Sequence, residues 1–177
     1  MKKQILFLLV VFSSISAFSQ ELKLSNALIV SHMDKQQDRF SLEIACSEVL
    51  ANAGVKNGVS LNVLKQGGDP QVLLTDSLTQ ILASKGLNTL MLVSVRGYDK
   101  RFKVSEQTMT LSEDLSIDNL FPIYKEDIVS VSFEFHFYRD GKLVYADVMK
   151  VGGAGSREKV MKKFRKKLAK KVEKDWK

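Results

Sequence analysis

Three short apolar runs, separated by two stretches of helical period, occupy residues 26–98 and set most of what this chain can fold into. Asn26 to Ser31 (NALIVS) is apolar without polar alternation, which predicts a strand covered on both faces. In DRFSLEIACSEVLANAG, residues 38–54, Leu42, Cys46, Val49 and Ala53 share one helical face, with Asp38 as the expected N-cap and Gly54 as the stop. Val59, Leu61 and Val63 then alternate with Ser60 and Asn62, which predicts a strand near an edge with one wet face. Gly67-Gly68 reads as a turn, Asp69 as a cap and Pro70 as a first helical residue, for a helix running to about Lys85 and ending at Gly86. NTLMLVSVRGY, residues 88–98, is a second doubly buried strand. A β-α-β-α-β order calls for parallel strands joined by right-handed crossovers.

The pattern changes after Tyr98. Residues 99–127 show no long period and hold SEDLSIDNLFPIY, an acidic stretch followed by an apolar cluster; a connection of this length is commonly a functional flap. VSVSFEFHFY follows, with Val129, Val131, Phe133, Phe135 and Phe137 on one side and Ser130, Ser132, Glu134, His136 and Tyr138 on the other. RDGK is a two-residue hairpin with Asp140-Gly141 at its tip, LVYADVMKV returns, and a last helix starts at Ser156. The fold class expected is α/β tending to α+β, a mixed sheet in the order β-α-β-α-β, long loop, β-β-α. Residues 20–177 form a single domain in this reading.

Residues 1–19 stand apart from that domain. Lys2 and Lys3, the apolar run Ile5 to Phe12, and Ala17-Phe18-Ser19 have the order of a secretory signal peptide, cleaved before Gln20. The product would be periplasmic or secreted. No later segment is long and apolar enough to span a bilayer. Cys46, the single cysteine, lies on the apolar face of its helix and reads as a small core hydrophobe.

The element order, together with GKLVYADVMKVGGAGS, resembles a group of bacterial envelope α/β domains of the TolB amino-terminal and curli-secretion type. Gly141-Lys142-Leu143-Val144-Tyr145 carries the match to their "GKLVW-like strand, small-residue turn, C-terminal helix" ending. The resemblance implies a binding or assembly module without catalytic machinery, and brings no active-site residue with it. The chain has no cysteine at the cleavage point, unlike the many lipid-anchored members.

No motif for metal or nucleophilic catalysis is present, and no cofactor is expected: there are two histidines, His32 and His136, and no GxSxG, HExxH or phosphate loop. Ligand sites in open α/β sheets gather beyond the carboxyl ends of the strands. His32 and Asp34 follow the first strand, Lys65 and Gln66 end the second, and Arg96 and Tyr98 end the third, so these residues define a candidate polar crevice. Ideal hairpin pairing would also set Glu134 opposite Asp147 and His136 opposite Tyr145. Those carboxylates read either as a pair sharing a cation or proton, or as residues of a wet face where screening weakens their repulsion.

The last 21 residues, Arg157 to Lys177, hold eleven basic and three acidic side chains, a net of +8. Placed at about 100° per residue, Val160, Met161, Phe164, Leu168, Val172 and Trp176 fall on one half. Lys162, Lys163, Lys166, Lys167, Lys170 and Lys174 fall on the other. The helix can dock and display a solvated lysine face, hold an anionic lipid, lipopolysaccharide or acidic envelope protein by charge, or lie in a membrane interface. The acidic SEDLSID stretch folding against the lysines is a fourth arrangement. Export removes nucleic acid as a partner, and the glycines of VGGAGS fit no phosphate-loop spacing. Two functions compete: an exported, non-catalytic binding or envelope-assembly module, and a small hydrolase or ligand-binding protein with its site near His32.

Overall fold

The computed structural model describes residues 21–64, 70–74, 77–104, 109–118 and 120–177. The expected signal peptide, the Gly67-Gly68 turn, the Asp69 cap and the candidate residues Lys65 and Gln66 lie outside these. The chain runs β1 (Asn26–Ser31), α1 (Gln36–Asn52), β2 (Lys56–Val59), 3-10 turns at Ser60–Asn62 and Pro70–Leu74, α2 (Ser77–Lys85) and β3 (Leu90–Tyr98). Then come α3 (Leu111–Leu115), β4 (Ser130–Arg139), β5 (Lys142–Gly152) and α4 (Arg157–Lys171), which ends in a π turn over Val172–Trp176.

The strands form one mixed sheet in the order β2-β1-β3-β4-β5, parallel across β2, β1 and β3 and antiparallel from β3 onward. This is the expected fold class. α1 and α4 cover one face, over Ile29, Met91, Val93, Phe133, Phe135 and Phe137. α2, α3 and the Pro70–Leu74 turn cover the other, over Leu28, Val30, Leu90, Leu92 and Tyr138. Cys46 is fully buried on the α1 side, as its helical face predicts.

Several local readings are corrected. Asp38 does not cap α1; the helix starts one turn earlier at Gln36, and the Asp38 carboxylate instead accepts from the Ile123 amide and from Arg157 of α4. The Val59–Val63 alternation is not a strand beyond Val59, because Ser60 turns inward to donate to the buried Glu43 carboxylate and the chain coils into a 3-10 turn. The helix expected over 70–85 is a 3-10 turn and a separate α2. The long 99–127 segment holds α3, started by a capping box in which Thr110 and Glu113 bond each other's backbone amides.

The hairpin tip is as read, with Asp140 and Gly141 both at positive φ, as a two-residue turn requires. Its register is not. A bulge at Val144 sets Phe137 opposite Tyr145, so Glu134 faces Val148 and His136 faces Ala146. Glu134 and Asp147 therefore point to opposite faces of the sheet, and no facing carboxylate pair exists. Nor is the polar side of β4 wet: Glu134, His136 and Tyr138 are buried beside Asp114 of α3, and Ser130 and Ser132 beside the segment that follows β3.

Candidate functional site

The crevice at the strand ends exists, with a membership different from the one expected. A cavity of about 80 Å³ lies on the α3 side of β3 and β4, bounded by His32, Ser94, Arg96, Glu134, His136 and Asp114, with Ile117 and Phe121 among its apolar walls. A more open hollow of about 460 Å³ adjoins it, sharing His32, Ile117 and Leu120, and carries Asp34 and Arg39 on its rim. α1 leaves β1 toward one face of the sheet, while the segment after β3 brings α3 to the other. Connections that part in this way leave a crevice between neighbouring strands.

Strand parity brings the polar residues together. Arg96 on β3 and Glu134 and His136 on β4 project to the α3 side, where Arg96 Nη1 lies 3.4 Å from Glu134 Oε2 and His136 Nε2 lies 3.6 Å from Glu134 Oε1. Asp114 of α3 closes the chain, bonding both His136 Nδ1 and the Tyr138 hydroxyl. Burial pulls the His136 pKa down, but the flanking Asp114 and Glu134 carboxylates outweigh it and lift it to about 9. The two carboxylates thus favour the imidazolium form of His136 at neutral pH. Burial, then Asp114, raises the Tyr138 pKa.

Of the predicted crevice residues, His32, Asp34 and Arg96 are at the site. Tyr98 is not. A bulge at Arg96, where the pairing passes from Val95–Phe133 to Gly97–Ser132, turns Tyr98 to the α1 and α4 side. There it donates to the Pro122 carbonyl at 2.6 Å and meets the Phe121 ring edge-on. Asp114, Glu134 and His136 were not assigned to this crevice by sequence reasoning. The signal for Asp114 was the Thr110-x-x-Glu113 capping box, and for the other two the shared parity of β3 and β4. No group of three or more His, Cys, Asp or Glu side chains among the described residues is placed to hold a metal.

The basic helix is docked along its length. Val160, Phe164, Leu168, Val172 and Trp176 are fully buried, with Phe164 on Phe133 and Trp176 between Phe135 and Phe137. Lys162, Lys166, Lys170 and Lys174 project outward. Lys163 and Lys167, also exposed, bend to the edge of β5: Lys163 Nζ donates to the Gly152 and Gly153 carbonyls and Lys167 Nζ to Lys150 O at 2.7 Å. A groove of about 350 Å³ between β5 and α4 gathers Lys150, Lys167, Lys170, Lys171 and Lys174, with Asp175 its one carboxylate among the described residues. Lys163 occupies the glycine turn, so the turn cradles a cation. Ser156 caps the helix by accepting from the Lys159 amide at 3.2 Å. SEDLSID does not cover the lysines, because α3 carries it to the opposite face of the sheet.

No family model and no curated protein matches the chain. Among solved structures, it is similar to the lipoprotein GNA1162 from Neisseria meningitidis, with TM-score 0.47 and 12% identity over 84% of this chain and 98% of that one. It is also similar to a variant PelC dodecamer from Paraburkholderia phytofirmans, with TM-score 0.44 and 11% identity over 84% of this chain and 88% of that one. The TolB and curli-secretion resemblance is not shown by these comparisons and rests on the element order and Gly141–Tyr145 alone.

Proposed function

We propose that the chain is an exported, non-catalytic binding or assembly module of the cell envelope, and that it meets an anionic surface through the outer side of α4. The observation that carries this reading is the docking of the helix. Its apolar stripe is fully used in the core, so the lysines are held on a rigid support and no apolar face is left to enter a bilayer. Export follows from the order of residues 1–19, and the periplasm or the exterior is the compartment it implies. A lipid or lipopolysaccharide headgroup layer fits a convex row of lysines better than a single acidic side chain does, since each lysine adds attraction at a charged surface.

Co-sedimentation with vesicles tests it. Anionic vesicles should capture the protein at low salt and release it at high salt, while zwitterionic vesicles should not capture it. Lys166→Glu, Lys170→Glu and Lys174→Glu together should abolish capture with the fold intact by circular dichroism. Unchanged capture would remove the reading, and salt-sensitive capture of an acidic envelope protein in its place would shift the partner class.

A second reading, a small-ligand or hydrolytic site at the strand ends, is favoured by one observation: the cavity joining His32 to Arg96. The polar groups around it largely answer one another, which suits a clamp that holds α3 on the sheet. Ligand-dependent shifts in His32 and His136 NMR resonances would support the second reading.

A further inference from the structure

The geometry points to a seat for one phosphate-type oxyanion on the α3 side of the sheet, where β5 ends. It goes beyond the reading above, since it uses a hollow at the end of β5 and not the outer side of α4. Three cations from separate segments converge there around a hollow of about 450 Å³: Arg101 from the loop after β3, Lys150 from β5 and Lys167 from α4. Among the described residues, no carboxylate lines it. Lys167 spends one proton on the Lys150 carbonyl, which fixes its position and leaves two for a ligand.

Ser132 supplies the second, independent observation. It lines the hollow directly across the ladder from Lys150, is 1% exposed, and its hydroxyl has no hydrogen-bond partner among the described residues. A buried hydroxyl left unpaired costs stability, so one retained beneath three cations calls for a ligand that would pair it. The other unpartnered hydroxyl, of Ser31, lies on the α1 side and lines none of the hollows described here. The space is also kept open. A Cβ added at Gly152 would meet nothing within 4 Å. Phe102 walls the site, its ring lying where a Cβ on Gly97 would come within 2.8 Å.

The nearby acids have hydrogen-bond partners of their own, although the Asp99 carboxylate also attracts Lys150. Asp99 accepts from the Val129 and Ser130 amides at 2.9 and 2.7 Å. Glu134, one step along the same face of β4, pairs with Arg96 and His136. A tetrahedral oxyanion with two charges matches three cations and a hydroxyl better than a carboxylate does, because it offers more acceptors to converging donors. Free phosphate and the phosphomonoester headgroup of a lipid share this chemistry.

Inorganic phosphate is the first probe, titrated calorimetrically into the full-length exported chain at low ionic strength. Saturable one-site binding is expected. Arg101→Gln with Lys150→Gln should weaken it ~10-fold or more, and Ser132→Ala should weaken it several-fold without lowering the unfolding midpoint. Lys85→Gln with Lys142→Gln, exposed lysines away from both surfaces, should leave it unchanged. Absence of saturable binding, or equal binding by the Arg101 and Lys150 variant, overturns the seat. A Ser132→Ala variant that binds as tightly as the parent removes the hydroxyl's part and overturns the geometry proposed. Vesicles of phosphatidic acid and of phosphatidylglycerol, matched in net charge, separate the sources. Preference for phosphatidic acid that depends on Arg101 and Lys150 assigns a lipid headgroup, and phosphate binding without that preference assigns the free anion. Vesicle capture by an unsubstituted chain that shows no saturable phosphate binding sinks the seat alone. Phosphate binding by an unsubstituted chain that anionic vesicles do not capture sinks the α4 surface alone.

Discussion

Trp176 Nε1 donates to Asp147 Oδ2 at 2.9 Å, joining the π turn that ends the last helix to the outermost strand of the sheet. The indole is fully buried between Phe135 and Phe137, and Lys171 Nζ lies 2.6 Å from the same carboxylate oxygen. The Trp176 carbonyl also accepts from the Leu24 amide, so the end of the helix holds down the segment that precedes β1.

Trp176→Ala is therefore expected to cost about 3–5 kcal/mol of stability, the range for emptying a large aromatic site. Trp176→Phe should cost less, about 1–2 kcal/mol, because packing is largely kept and one buried hydrogen bond is lost. Denaturant unfolding followed by circular dichroism measures both. A Trp176→Ala variant within about 1 kcal/mol of wild type would mean that the helix end frays at no cost.

The His136 imidazolium gives stability a defined pH window. Its folded pKa, about 9, lies above its ordinary value of 6.5, so the folded state holds a proton that the unfolded chain has released. The contribution is complete below pH 6.5 and is lost as pH rises to about 9, at up to about 1.4 kcal/mol per unit. Unfolding free energy should fall across this window and level off above it. His136→Gln should be less stable at pH 6 and should lack the slope. An equal slope in that variant would assign the proton to another group.

Elements carried by a strong period were legible: β1, the middle of α1, β3, β4 and the split faces of α4 all follow from apolar spacing. The crevice was half legible, since fold logic placed His32 and Arg96 together. What escaped were single-residue events. A bulge at Val144 reversed the parity of β5, and a bulge at Arg96 turned Tyr98 away, and neither leaves a mark on hydrophobic spacing. The polar side of β4 read as wet because Glu134 and His136 are ionisable. Their burial depends on Asp114, 20 residues before Glu134 along the chain, which only tertiary contact reveals. Asp38 looked like a cap because the type fits, while its bond to Arg157 spans most of the chain.

Lys163 and Lys167 are predicted to guard the edge of the sheet as well as to carry charge. β5 is the outermost strand, and its outward backbone groups are a template for pairing with another chain. Lys167 takes Lys150 O, Lys163 takes the Gly152 and Gly153 carbonyls, and Asp147 Oδ1 accepts from the Val148 amide at 2.7 Å. Lys163→Ala with Lys167→Ala should increase self-association in sedimentation velocity, while Lys162→Ala with Lys166→Ala should not. Equal behaviour of the two variants would show that the lysine contacts do not protect the edge.

Glu43 should be among the residues least tolerant of truncation, although no motif marks it. It is fully buried in α1 and accepts from the Ser31 amide at 2.9 Å and the Ser60 hydroxyl at 2.6 Å, with Arg39 Nε at 3.4 Å. These bonds fasten the end of β1 to the turn after β2, beside the mouth of the crevice. Glu43→Ala strands the Ser31 amide and the Ser60 hydroxyl, so a loss of about 2–4 kcal/mol is expected. Glu43→Gln keeps an acceptor oxygen for Ser31 but loses the charge, and should fall between the two. Because Glu43 faces Arg39, Gln substitution should also weaken the pull that sets the Arg39 side chain at the crevice rim. Amide exchange at Ser31 gives the local readout. Faster exchange there in Glu43→Gln, with protection of Phe135 unchanged, is the expected result, and unchanged Ser31 protection would remove Glu43 as the fastener.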